Sequence, residues 1–346
     1  MTHSVNSAGP PEGGAARRPI VSAQLLARFG SSRGLSTEQC LRDTGIEAAA
    51  LLNPETEILV AQELRMIRNL LSHLGHIPGI GLEVGLHYHL ASYGIWGFAL
   101  ISSPTLRSAA RLAVSYLDLS YSFCKFRLVD VGDNLSIVLD DSELAPDIRQ
   151  FLIERDFAAW ANAAWEIRPG GFPASGARFR FPKPSYAWRF EKIAGVRPEF
   201  DADCNAVLLD AATLSTPLPQ ANAQMARFCE EQCRQLLAKR QARGGVAGQV
   251  RDRMLRQPTK IPTIEGIAEE LHMSSRSLRR HLAAEGTSFR SLLDEVRLAL
   301  AEELLLSGQL KLSEIAERLG YAESAPFIHA FKRWKGMTPD QYRRAK

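Results

Sequence analysis

Thr263-Ile-Glu-Gly-Ile-Ala-Glu-Glu-Leu271 is answered further along the chain by Leu312-Ser-Glu-Ile-Ala-Glu-Arg-Leu-Gly320. Both copies set Ala one position after Ile and Leu three positions after that Ala: Ile267, Ala268 and Leu271, then Ile315, Ala316 and Leu319. A short helix needs a small residue flanked by apolar ones where a second helix crosses close behind it. The spacing therefore predicts two helix-turn-helix units. In the first, the chain turns through Leu271–Ser275 and a second helix runs over Ser275–Glu285, capped by Ser274, ended by Gly286 and packed through Leu278 and Leu282. In the second, the turn falls at Gly320-Tyr321 and the helix Ser324–Trp334 packs through Phe327 and Phe331. One more residue separates turn from helix in this copy. Between the units, Ser291–Ser307 predicts one continuous helix spanning on the order of 25 Å, a separation compatible with successive major grooves on one face of DNA. Thr338-Pro339 caps a closing segment after Gly336.

Charge follows the repeat. Residues 241–346 hold 18 Lys+Arg against 13 Asp+Glu, whereas the first 240 residues hold 24 against 25. The positive charge is thus local to the doubled motif, as a phosphate-facing module requires. On the first second helix the outward positions carry Arg276, Arg279 and Arg280, whose guanidinium forks match guanine O6 and N7. His272 stands in the first turn, where a left-handed backbone favours glycine, so modest strain is expected there.

At 346 residues the chain is long for one core and suits two domains. Residues 1–19 are polar and rich in Gly, Pro, Ser and Arg, and predict a disordered tail. Residues 20–215 predict a regulatory domain of class α+β, helices with a small, mostly antiparallel sheet. Helical spacing covers Val21 to Asp118, including Leu64, Ile67 or Arg68, and Leu71 on one face, and a helix starts after Ser103-Pro104-Thr105. Past Ser120 the period becomes two, and Gly132-Asp133 turns a hairpin. Asp147–Trp165 predicts a helix, Ala177–Phe181 and Asn205–Leu209 strands. Residues 216–248 predict a linker helix, Ala221–Arg240, and a joint at Gly244-Gly245, with a homodimer contact as one use of the helix. Residues 249–346 predict the all-α DNA-binding domain, two helix-turn-helix units joined by a long helix.

Several features could bear other chemistry. His73, His76, His87 and His89 cluster in sequence without carboxylate or Cys partners at ligand spacing, so no metal is expected. Cys40, Cys124, Cys204, Cys229 and Cys233 form no CxxC pair and fit reduced thiols, Cys229 and Cys233 as small apolar fillers one helical turn apart. Asp140, Asp141 and Glu143 read as a solvated loop rather than an acid–base pair. No nucleotide-binding glycine loop occurs and no cofactor is expected. Trp96, Phe98, Trp160 and Trp165 are candidates for an apolar effector pocket, with Trp96 and Phe98 its expected contacts. No apolar run is long enough for a membrane span and no secretory signal is present, so the expected location is the cytoplasm, at the nucleoid when DNA is bound.

Ile315-Ala-Glu-Arg-Leu-Gly-Tyr321, Phe327, Ala330-Phe-Lys-Arg-Trp334, Gly336-Met-Thr-Pro339 and Tyr342-Arg343 together resemble the DNA-binding domain of the AraC/XylS family of transcription regulators. Trp96-Gly-Phe-Ala-Leu-Ile-Ser-Ser-Pro-Thr-Leu106 is similar to the arabinose-binding-like N-terminal domain of one subgroup, the ornithine-utilisation and VirS type. The resemblance implies a sequence-specific regulator, usually an activator, with promoter DNA, RNA polymerase and a small-molecule effector as partners. Carried over by position, the base-facing residues are Ser275, Arg276, Arg279 and Arg280 in the first unit and Ser324, Ala325, Pro326 and His329 in the second. The second unit often has Arg where His329 stands, so the first unit is expected to discriminate bases and the second to hold phosphates through Lys332 and Arg333. Two other readings stand beside this one: an enzyme fused to a DNA-binding module, and a ligand-independent regulator whose first domain only dimerises. The absence of a nucleophile–base arrangement in the first 240 residues tells against the enzyme.

Overall fold

A computed structural model of the chain describes residues 17–170, 174–243, 245–256, 262–306 and 310–344. Two compact units divide it, one through Lys239 and one from Arg240. Residues 1–16 of the expected tail lie outside the described residues; its last three, Arg17–Pro19, instead form strand β1. The reason is Arg18, whose side chain is buried against Glu63 and anchors the strand.

In the first unit β1 is followed by α1 (Val21–Ser32), α2 (Thr37–Leu41), β2 (Glu57–Leu59), α3 (Val60–Leu74), α4 (Ile80–Gly85), α5 (Ile95–Ile101) and α6 (Leu106–Ser115). Then come β3 (Lys125–Val131), β4 (Asn134–Asp140), α7 (Arg149–Ile167), β5 (Ala174–Arg178), α8 (Ala187–Ala194), β6 (Asn205–Leu209), α9 (Ala211–Ser215) and α10 (Ala223–Arg243). The class is α+β, as the change of period predicts. β3 and β4 form the hairpin at Gly132, and the four-stranded sheet runs β3-β4-β6-β5, antiparallel throughout. Strand β1 pairs β2 in a separate two-stranded sheet.

β5 begins and ends three residues before the expected Ala177–Phe181. Phe179 and Phe181 are drawn from the ladder into a ring cluster with Phe190 and Phe200, while Phe179 N donates to Glu199 O. Burial of large rings outweighs three further ladder positions.

The α3 face is Leu64, Ile67, Leu70 and Leu74, all buried. Helix α7 is the central element, buried on nearly every side from Phe151 to Ala161. α4 crosses it at touching distance: a Cβ on Gly85 would stand 2.3 Å from Arg155 O. Glycine is required at that crossing, and the crossing fixes the part of α7 that carries Arg155.

The second unit holds α11 (Gly245–Arg256), α12 (Ile264–Glu270), α13 (Ser275–Ala284), α14 (Phe289–Leu306), α15 (Leu312–Arg318), α16 (Ser324–Lys335) and α17 (Pro339–Arg344). Each helix-turn-helix pair has its own core. Ile267, Ala268, Leu278 and Leu282 pack with Val250 and Met254 of α11, and Ile315, Ala316, Leu319, Phe327 and Phe331 pack together at the other end of α14. α14 serves both, giving Leu292 and Val296 to the first core and Ala301 and Leu305 to the second. Helix α11 is absent from the periodicity, because Gly245 opens it where two glycines predict a joint. A carboxylate supplies what its N-terminus lacks: Glu285 accepts from Val246 N at 2.8 Å and Ala247 N at 2.9 Å.

No helix among the described residues is long and apolar enough to cross a membrane.

Candidate nucleic-acid interface and effector cavity

The two units of the repeat close in the same way. Met273 N donates to Ala268 O and Tyr321 N to Ala316 O, at 3.0 and 2.9 Å, so both turns seal by the same six-residue bond. Its left-handed residue is Gly320 in the second unit, φ 77°, and His272 in the first, φ 54°. His272→Gly is expected to raise stability by about 0.5–1 kcal/mol, the strain of a side chain at that φ less the added freedom of the unfolded glycine. A lower denaturant midpoint for this variant would contradict the account.

Ser274 caps α13, accepting from Ser277 N at 3.1 Å, and Glu323 stands at the same place before α16. With Ser275 and Ser324 both first helical residues, Leu278 matches Phe327, Arg276 matches Ala325, Arg279 matches Ile328 and Arg280 matches His329. Arg276, Arg279 and Arg280 are exposed, and Ser275 is half-buried. Arg279 lies 3.7 Å from Glu265, an exposed pair that holds it loosely. On α16, Ala325, Pro326 and His329 are exposed, Ser324 half-buried, and the basic flank follows at Lys332 and Arg333. Arg333 pairs with Asp294 at 3.2 Å. One helix thus presents three guanidinium groups and its counterpart none on the matching positions.

What steadies the second unit is not visible in the repeat. Arg297, midway along α14, donates from Nε to Leu319 O at 2.9 Å and lies 4.5 Å from the Tyr321 ring centre. It ties the second turn to the joining helix by a hydrogen bond and a cation–π contact. Arg251 grips Glu295 with two hydrogen bonds, at 2.9 and 3.0 Å, and ties α11 to the same helix.

The first unit contains a cavity of about 60 Å³ bounded by α5, α6, α7 and the sheet. Trp96 and Trp160 line it; Phe98 and Trp165 do not. On α5 the inward face is Trp96, Ala99 and Leu100, which leaves Phe98 turned outward and 61% exposed. Trp160 is stacked on Phe126 with ring centres 4.9 Å apart. Alanines of α6 and α7 form much of the remaining wall, and Tyr93, Tyr121, Ser122, Arg155 and Asp156 make its polar end. Burial works against the Arg155 charge, yet Asp156, Tyr88 and Glu63 hold its pKa above the ordinary value. Burial likewise pushes the Tyr93 hydroxyl well up and Tyr88 up to about 12, so both stay protonated.

Most of the remaining candidates make structural contacts. His89 Nδ1 meets Glu166 at 2.5 Å, His73 bonds to Asn69 O, and the rings of His87 and Phe29 meet edge-on. Asp141 pairs with Arg180, Glu143 with Lys125, and Asp140 accepts from Ser142 N. Cys229 and Cys233 are buried in the first core.

A tandem of helix-turn-helix units behind a separate α+β unit defines a transcription regulator of two parts. A family described as the arabinose-binding domain of AraC transcription regulators, N-terminal, matches residues 34–218, and a helix-turn-helix domain family matches residues 267–345. The chain belongs to the AraC family. An HTH-type transcriptional regulator of Mycobacterium tuberculosis is 34% identical over 344 residues, covering 95% of this chain and 96% of that one. The ornithine utilization regulator of Pseudomonas aeruginosa is 31% identical over 339 residues, covering 94% of this chain and 96% of its own. The urease operon transcriptional activator of Escherichia coli is 38% identical over 87 residues, 25% of this chain and 29% of that one.

Proposed function

We propose that this regulator recognises promoter DNA with α13 as the base-reading helix and α16 as the phosphate-holding one, under the control of a small molecule bound in the cavity of its first unit. The observation that carries the reading is the asymmetry of two helices matched position by position from their first residues: Arg276, Arg279 and Arg280 on one, Ala325, Ile328 and His329 on the other. Ser275 stands with the arginines among the base-facing positions, Ser324 and Pro326 hold the corresponding places on the second helix, and Lys332 and Arg333 supply charge to the phosphates. Activation is the mode supported by the relative named as an operon activator, and RNA polymerase is the partner through which it would act. Location in the cytoplasm follows from the DNA target. A homodimer formed through α10 is consistent with its exposed Met225, Phe228 and Leu236.

Gel shifts of the full chain on its gene's own upstream region test the DNA reading. We expect binding at least about 1,000-fold tighter than to random DNA, falling steeply as salt rises. No preference over random DNA at moderate salt would sink it. Sensing is tested by thermal shift with amino acids, ornithine among them because of the relative's name, and with fatty acids and sugars. A stabiliser whose effect disappears in Ala113→Trp, which fills the cavity, supports it; a panel without any such compound rejects it.

A further inference from the structure

The cavity walls carry a conclusion that rests on the sensing reading and adds the chemical class of the ligand. Two donors on residues that line the cavity, Trp96 Nε1 and Arg155 Nη1, are buried and have no hydrogen-bond acceptor among the described residues. Trp96 is only 4% exposed. A buried donor without an acceptor is costly and rare, and on a residue beside a cavity it points to an acceptor supplied by a ligand. Tyr93, which also lines the space, makes no hydrogen bond through its hydroxyl among the described residues.

Charge decides what kind of acceptor. Arg155 donates from Nε and Nη2 to Asp156 Oδ1 at 3.0 and 2.8 Å, and its Nη1 stands 3.7 Å from Glu63 Oε1. Arg18 Nη1 donates to the other oxygen of Glu63 at 3.3 Å. Two guanidinium groups therefore face two carboxylates, and the cluster is neutral. Asp156 is not free to yield its place, since its Oδ2 accepts from Ser122 Oγ at 2.5 Å and Cys124 N at 3.4 Å. Most of the wall beyond this end is carbon, with Ala109, Ala110 and Ala113 of α6, Ala159 and Ala163 of α7, and Leu209 of the sheet. A carboxylate or ammonium placed here would bring an unbalanced charge into an apolar wall, which burial penalises heavily.

We infer that the cavity takes a compact, uncharged and largely apolar molecule whose oxygen accepts a hydrogen bond from Trp96 Nε1. Its carbon body lies along the alanines, and the charged cluster behind Arg155 stays paired when it binds.

The test is thermal unfolding of the full chain with cyclohexanone, cyclohexanecarboxylate and cyclohexylammonium at equal millimolar concentration. These probes share a ring and differ in charge. Cyclohexanone is expected to raise the melting temperature of the first unit by about 2 °C or more, while the charged analogues leave it unchanged. Trp96→Phe keeps the ring and removes the donor, and is expected to weaken the ketone about tenfold; Ala113→Trp is expected to abolish its effect. Equal or greater stabilisation by a charged analogue, lost in Ala113→Trp, overturns the uncharged class and leaves sensing in place. No response of the wild-type protein to cyclohexanone overturns the class as well, and sensing then stands or falls with the wider compound panel. A Trp96→Phe protein that binds the ketone undiminished removes Trp96 from the account.

Discussion

Glu63→Ala is expected to destabilise the first unit by about 3–5 kcal/mol, because it leaves the buried Arg18 and Arg155 with one carboxylate between them. For a unit of this size that is roughly 10 °C in melting temperature. Glu63 also accepts from Ser22 Oγ at 2.5 Å, and Ser22 Oγ lies 2.7 Å from the Tyr88 hydroxyl, so the substitution breaks a chain of buried polar contacts as well as a charge balance. Glu63→Gln separates the two effects. It keeps an oxygen for Ser22 but not the negative charge, and should recover only a small part of the loss. Asp203→Ala is the control: its pair with Arg178 is exposed, 3.7 Å apart, and removal should change stability by less than about 1 kcal/mol. A Glu63→Ala protein that melts within 1 kcal/mol of the parent would show that the guanidinium groups reach water or another partner.

That cluster is also the clearest case of what the sequence does not disclose. Glu154-Arg155-Asp156 interrupts an otherwise apolar helix, which signals buried charge, but its partners come from residues 18 and 63, and no local pattern ties a strand near the N-terminus to the middle of α7. The doubled motif is legible for the opposite reason. Ile, Ala and Leu at fixed spacing and a closing Gly are each local, and their repetition removes chance. Strand β5 is misplaced because ring burial competes with alternation, and α11 is missed because its start is capped by Glu285 from another helix. The pocket is half legible. Aromatic spacing picks out Trp96, but only the 100° steps of α5 separate it from Phe98.

The second large effect belongs to α13. Arg276 and Arg280 lie one turn apart on its exposed side, and neither makes an ion pair among the described residues, unlike Arg279 with Glu265. They can meet base edges without first breaking a contact. Replacing either by Ala is expected to cost about 1–3 kcal/mol on the cognate site, roughly 5- to 150-fold in Kd, with a much smaller loss on random DNA. Lys332→Ala should instead weaken both alike and lower the salt slope by about 1. The matching positions on α16 hold Ala325 and His329, so base changes under the second unit should be tolerated better than those under the first. Steric contact can still discriminate there, for Ala325 and Pro326 are able to meet a thymine methyl, but no guanidinium fork is available to them. If Arg280→Ala lowered specific and random binding equally, or if operator changes under α16 cost more than those under α13, the division of labour between the two helices would be wrong even though both still grip DNA.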